Sequence, residues 1–456
     1  MQLNLVHFLK DQFFSPVKQP GGPTQSEMIT EMKEKNFLEY LVFHSPHLMK
    51  KYGGICRLSK KGYLISDPKA FKHILKDKSS NYSKKAMPYD RLKLLFGDGL
   101  IVSEGATWKE HRTVLHPVFN RERLERYSQI MIDKTIELLD QWQQHPPEAL
   151  NINHEIAGLT LSIAFKSFGS YEATHKVIYT LMSSVERGSP VISFYLFLKS
   201  WIPTPTNLLF FSSLRKTNKI LSQIFEARKG EPQEEQDAID LLLNAKKTHG
   251  FTLTDSEMVD EFKTLLMTGY ETTACALTWI FYLLAKHSEY REALETELES
   301  VLGDRLPNID DCSKLPLTKA IILETLRLYP SIWVLPRFCI EKDELLGFPI
   351  PAKSLLMLNI YALHRNEQHW ENPEVFSPER FMNESDSKND PFSYLPFSIG
   401  PHSCIGSAFA MLECTLLLAT IAQRFRIELI KNKDYKPEPY LSLRPPANLK
   451  MRPILR

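Results

Sequence analysis

Residues 397–406 read FSIGPHSCIG, and this stretch decides how the rest of the chain is interpreted. Its pattern is F-x-x-G-x-x-x-C-x-G, and the alanine- and leucine-rich sequence after it predicts a helix that opens near Cys404 and ends at Arg424. The free N–H groups and the dipole at a helix N-terminus stabilise a thiolate. Gly406 leaves room for a flat ligand, and Phe397 would screen the sulfur from water. The stretch therefore predicts that Cys404 is a thiolate ligand of a metal.

The composition indicates one large unit with an extensive apolar interior. The chain has 456 residues, of which 43% are hydrophobic, and a formal net charge of +2. A chain of this length buries enough surface to enclose a deep, dry pocket. Its charges are balanced, which argues against nucleic-acid binding. We predict an N-terminal segment with a Pro/Gly hinge over residues 1–23 and a single monomeric domain over residues 24–456.

The cysteines and the hydropathy exclude several other classes. The six cysteines form no C-x-x-C pair, so zinc-ribbon and thioredoxin-type sites are ruled out. The N-terminus lacks the features of a signal peptide, and no uninterrupted apolar run is long enough for a spanning helix. We therefore expect a soluble, cytoplasmic protein, and the sequence leaves open a removed N-terminal anchor.

A long helix is predicted in the middle of the chain. Thr254 and Glu257 form a T-x-x-E capping box, and apolar spacing continues to about Lys286, which gives a rod of about 48 Å. The Thr272 hydroxyl, one turn after Thr268, is expected to bond back to the Thr268 carbonyl and bend this helix. A helix of this length can cross a domain and position the residues of a buried site.

A second helix carries two charges in apolar surroundings. Glu324 and Arg327 lie among isoleucines and leucines on nearly every side, and Tyr329 with Pro330 ends the helix. Buried charges require partners, and Arg380 is the expected third member of the group. We interpret these three residues as structural support for the loop that carries Cys404.

The ten-residue stretch resembles the cysteine-ligand loop of the cytochrome P-450 family of haem-thiolate monooxygenases. Further motifs follow in the family's order along nearly the whole chain. They are W-x-x-x-R at Trp108 and Arg112, the threonine-rich stretch 268–273 (TGYETT), E-x-x-R at Glu324 and Arg327, Arg337 after a proline, and PERF at 378–381.

The resemblance implies a mainly α fold with a small β-rich lobe, and haem b between the long helix and the Cys404 loop. It implies catalytic roles for Thr272 and Glu271 in supplying protons to bound oxygen. It also implies cofactor contacts and a substrate pocket. The cofactor contacts are Trp108, Arg112, Gly269, Arg337, Phe397, His402 and Gly406, and the pocket includes Thr268, Ile332, Trp333 and Val334, together with residues 86–100 and Val191 to Phe211.

Two positions depart from the family's pattern. His402 stands where many relatives have arginine, so we expect its contact with a haem propionate to depend on pH. Thr268 replaces the usual alanine or glycine, which narrows the pocket above the iron or makes it more polar. The second departure affects how a substrate is oriented and leaves haem binding unaffected.

The resemblance also defines the expected reaction and partners. We expect oxygen activation and hydroxylation of a small apolar substrate such as a fatty acid, terpenoid or sterol. No G-x-G-x-x-G motif or P-loop is present, so NAD(P)H would act only indirectly, through a separate ferredoxin or flavodoxin and its reductase. The apolar segment 191–214 is interpreted either as core packing or as a functional segment, which would be a mobile apolar gate or a peripheral membrane contact.

Two alternative functions remain open from the sequence. The first is a haem-thiolate peroxygenase or a hydroperoxide-rearranging enzyme, against which the intact Glu271–Thr272 pair argues. The second is a non-enzymatic haem or ligand carrier, which predicts an iron with no open position and no cavity for an apolar ligand.

Overall fold

A computed structural model describes residues 19–32, 36–85, 87–194, 204–230, 236–382 and 390–456. Its architecture is dominated by α-helices, as the sequence predicts. Seventeen α-helices are assigned within those ranges. They are α1 Gln25–Glu31, α2 Phe37–Phe43, α3 Ser45–Tyr52, α4 Pro68–Lys72, α5 Met87–Phe96, α6 Gly105–Leu115, α7 Arg121–Gln144, α8 Ile152–Gly169, α9 His175–Phe194, α10 Pro205–Arg228, α11 Ala238–Leu243, α12 Ala245–His249, α13 Asp255–Lys286, α14 Ser288–Leu302, α15 Pro316–Leu328, α16 Ile360–Leu363 and α17 Ser407–Arg424.

The strands form a small sheet region beside the helices. A five-stranded sheet has the order β1-β2-β7-β4-β3, in which only β2 and β7 run parallel. Three two-stranded sheets pair β5 with β6, β8 with β11, and β9 with β10. The strands are β1 Ile55–Ser59, β2 Gly62–Ile65, β3 Tyr82–Ser83, β4 Val334–Cys339, β5 Asp343–Leu345, β6 Phe348–Ile350, β7 Leu355–Asn359, β8 Phe425–Leu429, β9 Glu438–Pro439, β10 Leu443–Arg444 and β11 Met451–Leu455.

The central element is helix α13, whose 32 residues begin after the N-cap Thr254. The predicted capping box is confirmed, because the Thr254 N–H donates to Glu257 Oε2 at 2.7 Å and the Glu257 N–H donates to Thr254 Oγ1 at 3.2 Å. Most of the helix is buried, and it packs against α8, α10, α15 and α17. Because α13 is long and mostly buried, the other helices of the interior pack around it.

The apolar interior has one large and two smaller parts. The large cluster lies among the helices and includes Trp279 and Phe262, both fully buried. The smaller clusters link the five-stranded sheet to α1–α4 and α16. Strands β1 and β2 form an antiparallel hairpin whose turn contains Lys60 and Lys61. The predicted β-rich lobe is therefore confirmed.

The apolar segment 191–214 is interrupted, as its prolines predict. Helix α9 ends at Phe194, Thr204 is the N-cap of α10, and Pro205 occupies its first turn. Residues 195–203, and residues 1–18 of the predicted N-terminal segment, lie outside the described residues. Within the described ranges, none of the helices combines the length and the apolar character needed to cross a membrane.

Candidate active site

The Cys404 loop is a tight turn that precedes α17. Ser398 and Gly400 have positive φ values of 59° and 75°, and the Cys404 N–H donates to the Phe397 carbonyl at 2.9 Å. Helix α17 begins at Ser407, three residues after the cysteine, so the helix opens slightly later than expected. The turn leaves Cys404 facing a large cavity.

Gly400 cannot be replaced without moving the backbone around it. A Cβ at this position would lie 1.9 Å from the carbonyl oxygen of Leu75, which is in the helical turn 73–77. Asp343 anchors this turn, because its carboxylate lies 2.9 Å from both His73 Nε2 and Lys78 Nζ. The shape of the cysteine loop is therefore imposed by a neighbour more than 300 residues earlier in the chain.

Burial dominates the electrostatics of Cys404. The residue is accessible from the cavity, yet protein atoms surround its sulfur, and this desolvation raises the pKa of the thiol. A hydrogen bond from the Gly406 N–H and the charge of Arg112 oppose the increase in pKa without outweighing it. Arg112 also donates to the Ser403 carbonyl at 3.0 Å. Binding of a metal cation would supply the charge that holds the sulfur as a thiolate.

Helix α13 forms one wall of the cavity, and this wall carries threonine hydroxyl groups. Thr268, Gly269 and Thr272 line the cavity together with Cys404. The Thr272 hydroxyl donates to the Thr268 carbonyl at 2.8 Å, which confirms the predicted back-bond. Thr268 repeats the pattern with Thr264 at 2.7 Å. Because the hydroxyl proton of Thr272 is already engaged, its oxygen is available to accept a hydrogen bond from within the cavity.

Glu271 occupies a different environment from its neighbour Thr272. Its buried carboxylate accepts hydrogen bonds from Ser442 Oγ and from Arg444 Nε, each at 2.6 Å. Arg444 Nη2 also donates to Ser189 Oγ in α9 at 2.8 Å. Glu271 is not among the residues that line the cavity, whereas Thr272 is. The carboxylate must therefore change partners, or act through water, to reach the cavity.

One side wall of the cavity is basic. Arg112, Arg337 and His402 line it together with Lys84, which the sequence analysis did not identify. Arg337 Nη1 donates to Tyr89 Oη at 2.9 Å, and Lys84 Nζ donates to the Ile101 carbonyl at 3.0 Å. Burial, followed by the charge of Arg337, lowers the pKa of Lys84 to about 7. No local pattern marks this lysine, because only the packing of β3 and β4 brings it to the cavity.

His402 packs against Trp108 on the cavity wall. The two rings are tilted by 54° with their centroids 4.3 Å apart, and the guanidinium carbon of Arg112 lies 5.6 Å from the centroid of the Trp108 ring. Burial and the charges of Lys84, Arg337 and Arg112 lower the pKa of His402 to about 3. With only these neighbours the imidazole is therefore neutral near pH 7, and the pH dependence expected for its contact with a propionate stays a prediction.

The three charged residues interpreted as structural support meet behind the cysteine loop. Arg327 Nε and Nη2 donate to the two oxygens of Glu324 at 2.7 and 2.8 Å, and both side chains are fully buried. Arg380 Nε lies 3.5 Å from Glu324 Oε1. Arg327 also donates to the carbonyls of Pro373 and Val375, at 2.6 and 3.0 Å. These bonds tie α15 to the segment that leads into the cysteine loop.

The cavity has a volume of about 1220 Å³ and is mostly apolar. The four residues named for the substrate pocket, Thr268, Ile332, Trp333 and Val334, all line it. Tyr89, Leu92 and Leu100 contribute from residues 86–100, whereas no residue of the described part 204–211 does so. Phe397, Gly269 and Gly406 complete the set of predicted contacts on the cavity wall.

A cysteine accessible from the interior cavity thus shares that cavity with a threonine-bearing helix and a basic wall. This arrangement defines the class of haem-thiolate proteins. Residues 20–452 match the family Cytochrome P450. The chain is 29% identical over 372 residues to cyclooctat-9-en-7-ol 5-monooxygenase of Streptomyces melanosporofaciens, covering 80% of each chain. It is 30% identical over 407 residues to leukotriene-B4 omega-hydroxylase 3 of Mus musculus, covering 81% of this chain and 76% of that relative.

The solved structures agree on the fold. The heme domain of cytochrome P450DA superposes with a TM-score of 0.84 at 22% identity, over 96% of this chain and 98% of that one. The chain belongs to the cytochrome P450 family and is a monooxygenase of that family.

The family and the fold imply a haem bound through a cysteine thiolate, and the residues of the cavity fit this group. Three cations, Lys84, Arg112 and Arg337, share one buried wall, which is costly unless an anion joins them. Haem carries two propionates. His402 Nδ1 is buried without a hydrogen-bond partner among the described residues, so it is available as a further contact.

Proposed function

We propose that this chain hydroxylates a small apolar substrate, such as a fatty acid, terpenoid or sterol, and that Cys404 would hold the iron of haem b through its thiolate. The observation that carries the proposal is the position of Cys404 and Thr272 on one large, mostly apolar cavity. Such a cavity and the monooxygenase relatives argue against the carrier alternative, which predicts no cavity for an apolar ligand. The names of the two relatives specify a cyclooctatenol and a leukotriene, and both molecules are largely apolar.

When bound, the haem supplies activation of dioxygen, and the chain controls protons and substrate around it. Cys404 provides the thiolate, and Arg112, Arg337 and Lys84 neutralise the propionates. Thr272 accepts a hydrogen bond from a water in the cavity and holds it for proton delivery. Glu271 directly precedes Thr272 in the sequence. Release of the Glu271 carboxylate from Arg444 would let this carboxylate bind the same water.

Electrons are proposed to come from a separate ferredoxin or flavodoxin with its reductase. The sequence carries no nucleotide-binding motif for NAD(P)H. Lys109 and Arg121 are exposed near the start of α6 and α7 and offer positive charge to an acidic partner.

Leu208 and Leu209 are 56% and 53% exposed in the first turns of α10, which supports a peripheral membrane contact there.

The carbon-monoxide spectrum of the reduced, haem-loaded protein tests the axial ligand. A thiolate trans to carbon monoxide shifts the absorption band to the red, so Cys404→Ala should lose the shifted band. Cys414→Ala is the matched control, because Cys414 is buried and lines the same cavity. Retention of the band in Cys404→Ala, or its loss in Cys414→Ala alone, would show that the assignment is wrong.

Turnover experiments test the source of electrons and oxygen. Purified protein with NAD(P)H alone should form no product, and a ferredoxin or flavodoxin with its reductase should restore product formation. Turnover with hydrogen peroxide but with no redox partner would instead favour the peroxygenase alternative.

A further inference from the structure

The turn of α13 that carries Thr272 is held by a hydroxyl group from outside the helix. Ser331, which follows α15, donates from its Oγ to the Thr272 carbonyl at 2.8 Å. Two hydroxyls of α13 itself donate to the preceding turn, from Thr272 to the Thr268 carbonyl and from Thr273 to the Gly269 carbonyl. Bonds of this kind compete with the helical hydrogen bonds and bend the helix. The shape of this turn therefore depends on side-chain hydroxyls as well as on the helix backbone.

Ser331 is itself fixed on two sides by neighbouring elements. The ring of Tyr329 stacks on Trp279 of α13, with the ring centroids 4.0 Å apart and the planes inclined by 6°. On the other side, the Leu443 N–H of β10 donates to the Ser331 carbonyl at 2.9 Å. Trp279 closes the frame, because its Nε1 donates to the Leu443 carbonyl at 3.2 Å. The hydroxyl of Ser331 therefore comes from a frame that is anchored further along α13.

Thr160 of α8 makes a weaker contact of the same kind. Its Oγ1 lies 3.1 Å from the Tyr270 carbonyl, but it also lies 2.9 Å from the Ile156 carbonyl in its own helix. A hydroxyl has one proton, so Thr160 divides it between these acceptors. For Ser331, the Thr272 carbonyl is the single acceptor of the hydroxyl proton within the ranges that the structure describes. Ser331 thus commits its proton to α13.

Ser331 also lines the cavity beside Ile332, yet its proton is engaged by the helix and is not available to a substrate. We infer that Ser331 is a positioning residue for proton delivery. Its hydroxyl fixes the peptide of Thr272, and with it the place from which the Thr272 hydroxyl holds water. This inference rests on the proposed function and adds a residue that acts only through Thr272. Misplacement of a reacting group by about 1 Å can lower a rate by about two orders of magnitude, so such a hold affects oxygen activation.

Hydrogen exchange tests the hold on the helix without any substrate. Amide exchange in peptides covering residues 268–276 is followed by mass spectrometry in the haem-loaded full chain. Ser331→Ala should exchange about fivefold faster in these peptides, which is the factor that one lost hydrogen bond represents. Ser331→Thr keeps the hydroxyl and should exchange at the wild-type rate.

Ser45→Ala is the matched control for hydrogen exchange. The buried Ser45 hydroxyl also donates to a backbone carbonyl, that of Val42 at 3.1 Å, and Ser45 does not line the cavity. This variant loses a hydroxyl of the same type at a distant place. Its exchange over residues 268–276 should therefore equal that of the wild type.

The yield of product per NAD(P)H consumed tests the consequence for proton delivery. Dodecanoic acid, limonene and cholesterol represent the three substrate classes named above, and the probe that the wild type oxidises fastest is used. Ser331→Ala should form about three- to fivefold less product per NAD(P)H, and the difference should appear as hydrogen peroxide. Its dissociation constant for the probe should stay near the wild-type value, and Ser331→Thr should restore the yield.

A double variant tests whether Ser331 acts through Thr272. Ser331→Ala/Thr272→Ala should form as much product per NAD(P)H as Thr272→Ala alone, because the hydroxyl that Ser331 positions is already absent. A further loss in the double variant, unchanged exchange in Ser331→Ala, or an equal loss of yield in Ser331→Ala and Ser331→Thr would overturn the inference. Failure of the proposed function appears elsewhere, as the absence of the red-shifted carbon-monoxide band in the wild type.

Discussion

Glu413 offers a quantitative test of how burial governs the stability of this protein. It lies on α17, is fully buried, and neither of its carboxylate oxygens accepts a hydrogen bond from the described residues. Burial raises the pKa of Glu413 from 4.5 to about 8, although the neighbouring Thr273 hydroxyl opposes the shift. The folded protein therefore holds a proton on Glu413 near neutrality, whereas the unfolded chain releases it.

The sign and size of the pH effect follow from the two pKa values. Between the unfolded pKa of 4.5 and the folded pKa of about 8, the folded state binds the extra proton, so stability falls as the pH rises. At 1.36 kcal/mol per pKa unit, the full penalty for ionised Glu413 is about 5 kcal/mol. Between pH 6 and pH 9 the wild type should lose about 3 kcal/mol through this residue alone.

Glu413→Gln removes the titration and preserves the shape of the side chain. The free energy of unfolding is measured by urea denaturation of the haem-loaded protein at pH 6 and pH 9. The variant should lose about 3 kcal/mol less than the wild type over this interval. Glu299→Gln, at an exposed position on α14, should follow the wild type. If the free energy of unfolding fell by the same amount in the wild type and in Glu413→Gln, burial would not be keeping Glu413 protonated.

Five further substitutions test the loop, the long helix and the buried ion pair. Gly400→Ala should abolish haem retention, because the new Cβ would lie 1.9 Å from a carbonyl oxygen. Gly269→Ala is the control, because the nearest atom to its Cβ would be 3.5 Å away, and this variant should retain haem. The Soret band measures haem retention in both variants. Thr272→Ala should keep haem and substrate affinity but divert reducing equivalents to hydrogen peroxide. Thr268→Ala should change which product is formed and still use its reducing equivalents for product. The reverse pattern would place the proton-delivering hydroxyl one turn away. Glu324→Gln should lower the free energy of unfolding by about 3–5 kcal/mol, because it leaves a buried guanidinium without its counter-charge, and a smaller loss in urea denaturation would show that the pair is solvated.

The sequence alone determined the features that depend on short spacing along the chain. The cysteine loop, the capping box at Thr254, the back-bond from Thr272 and the ends of the helices follow from residues within a few positions of one another. Their physics is local, because helical periodicity, capping and turn preferences involve neighbours in sequence. The mainly α fold was expected from the resemblance of these motifs to the cytochrome P450 family.

Only the tertiary structure decided which distant groups meet. Glu271 is paired with Arg444, 173 positions later, and Lys84 enters the basic wall through the packing of the sheet. The pKa values of His402 and Glu413 depend on desolvation and on charges contributed by other elements. Burial and through-space charge are set by how the elements pack, and no spacing along the chain encodes them directly. For this reason the sequence proposed the candidate catalytic residues, while the structure decided which distant groups surround them.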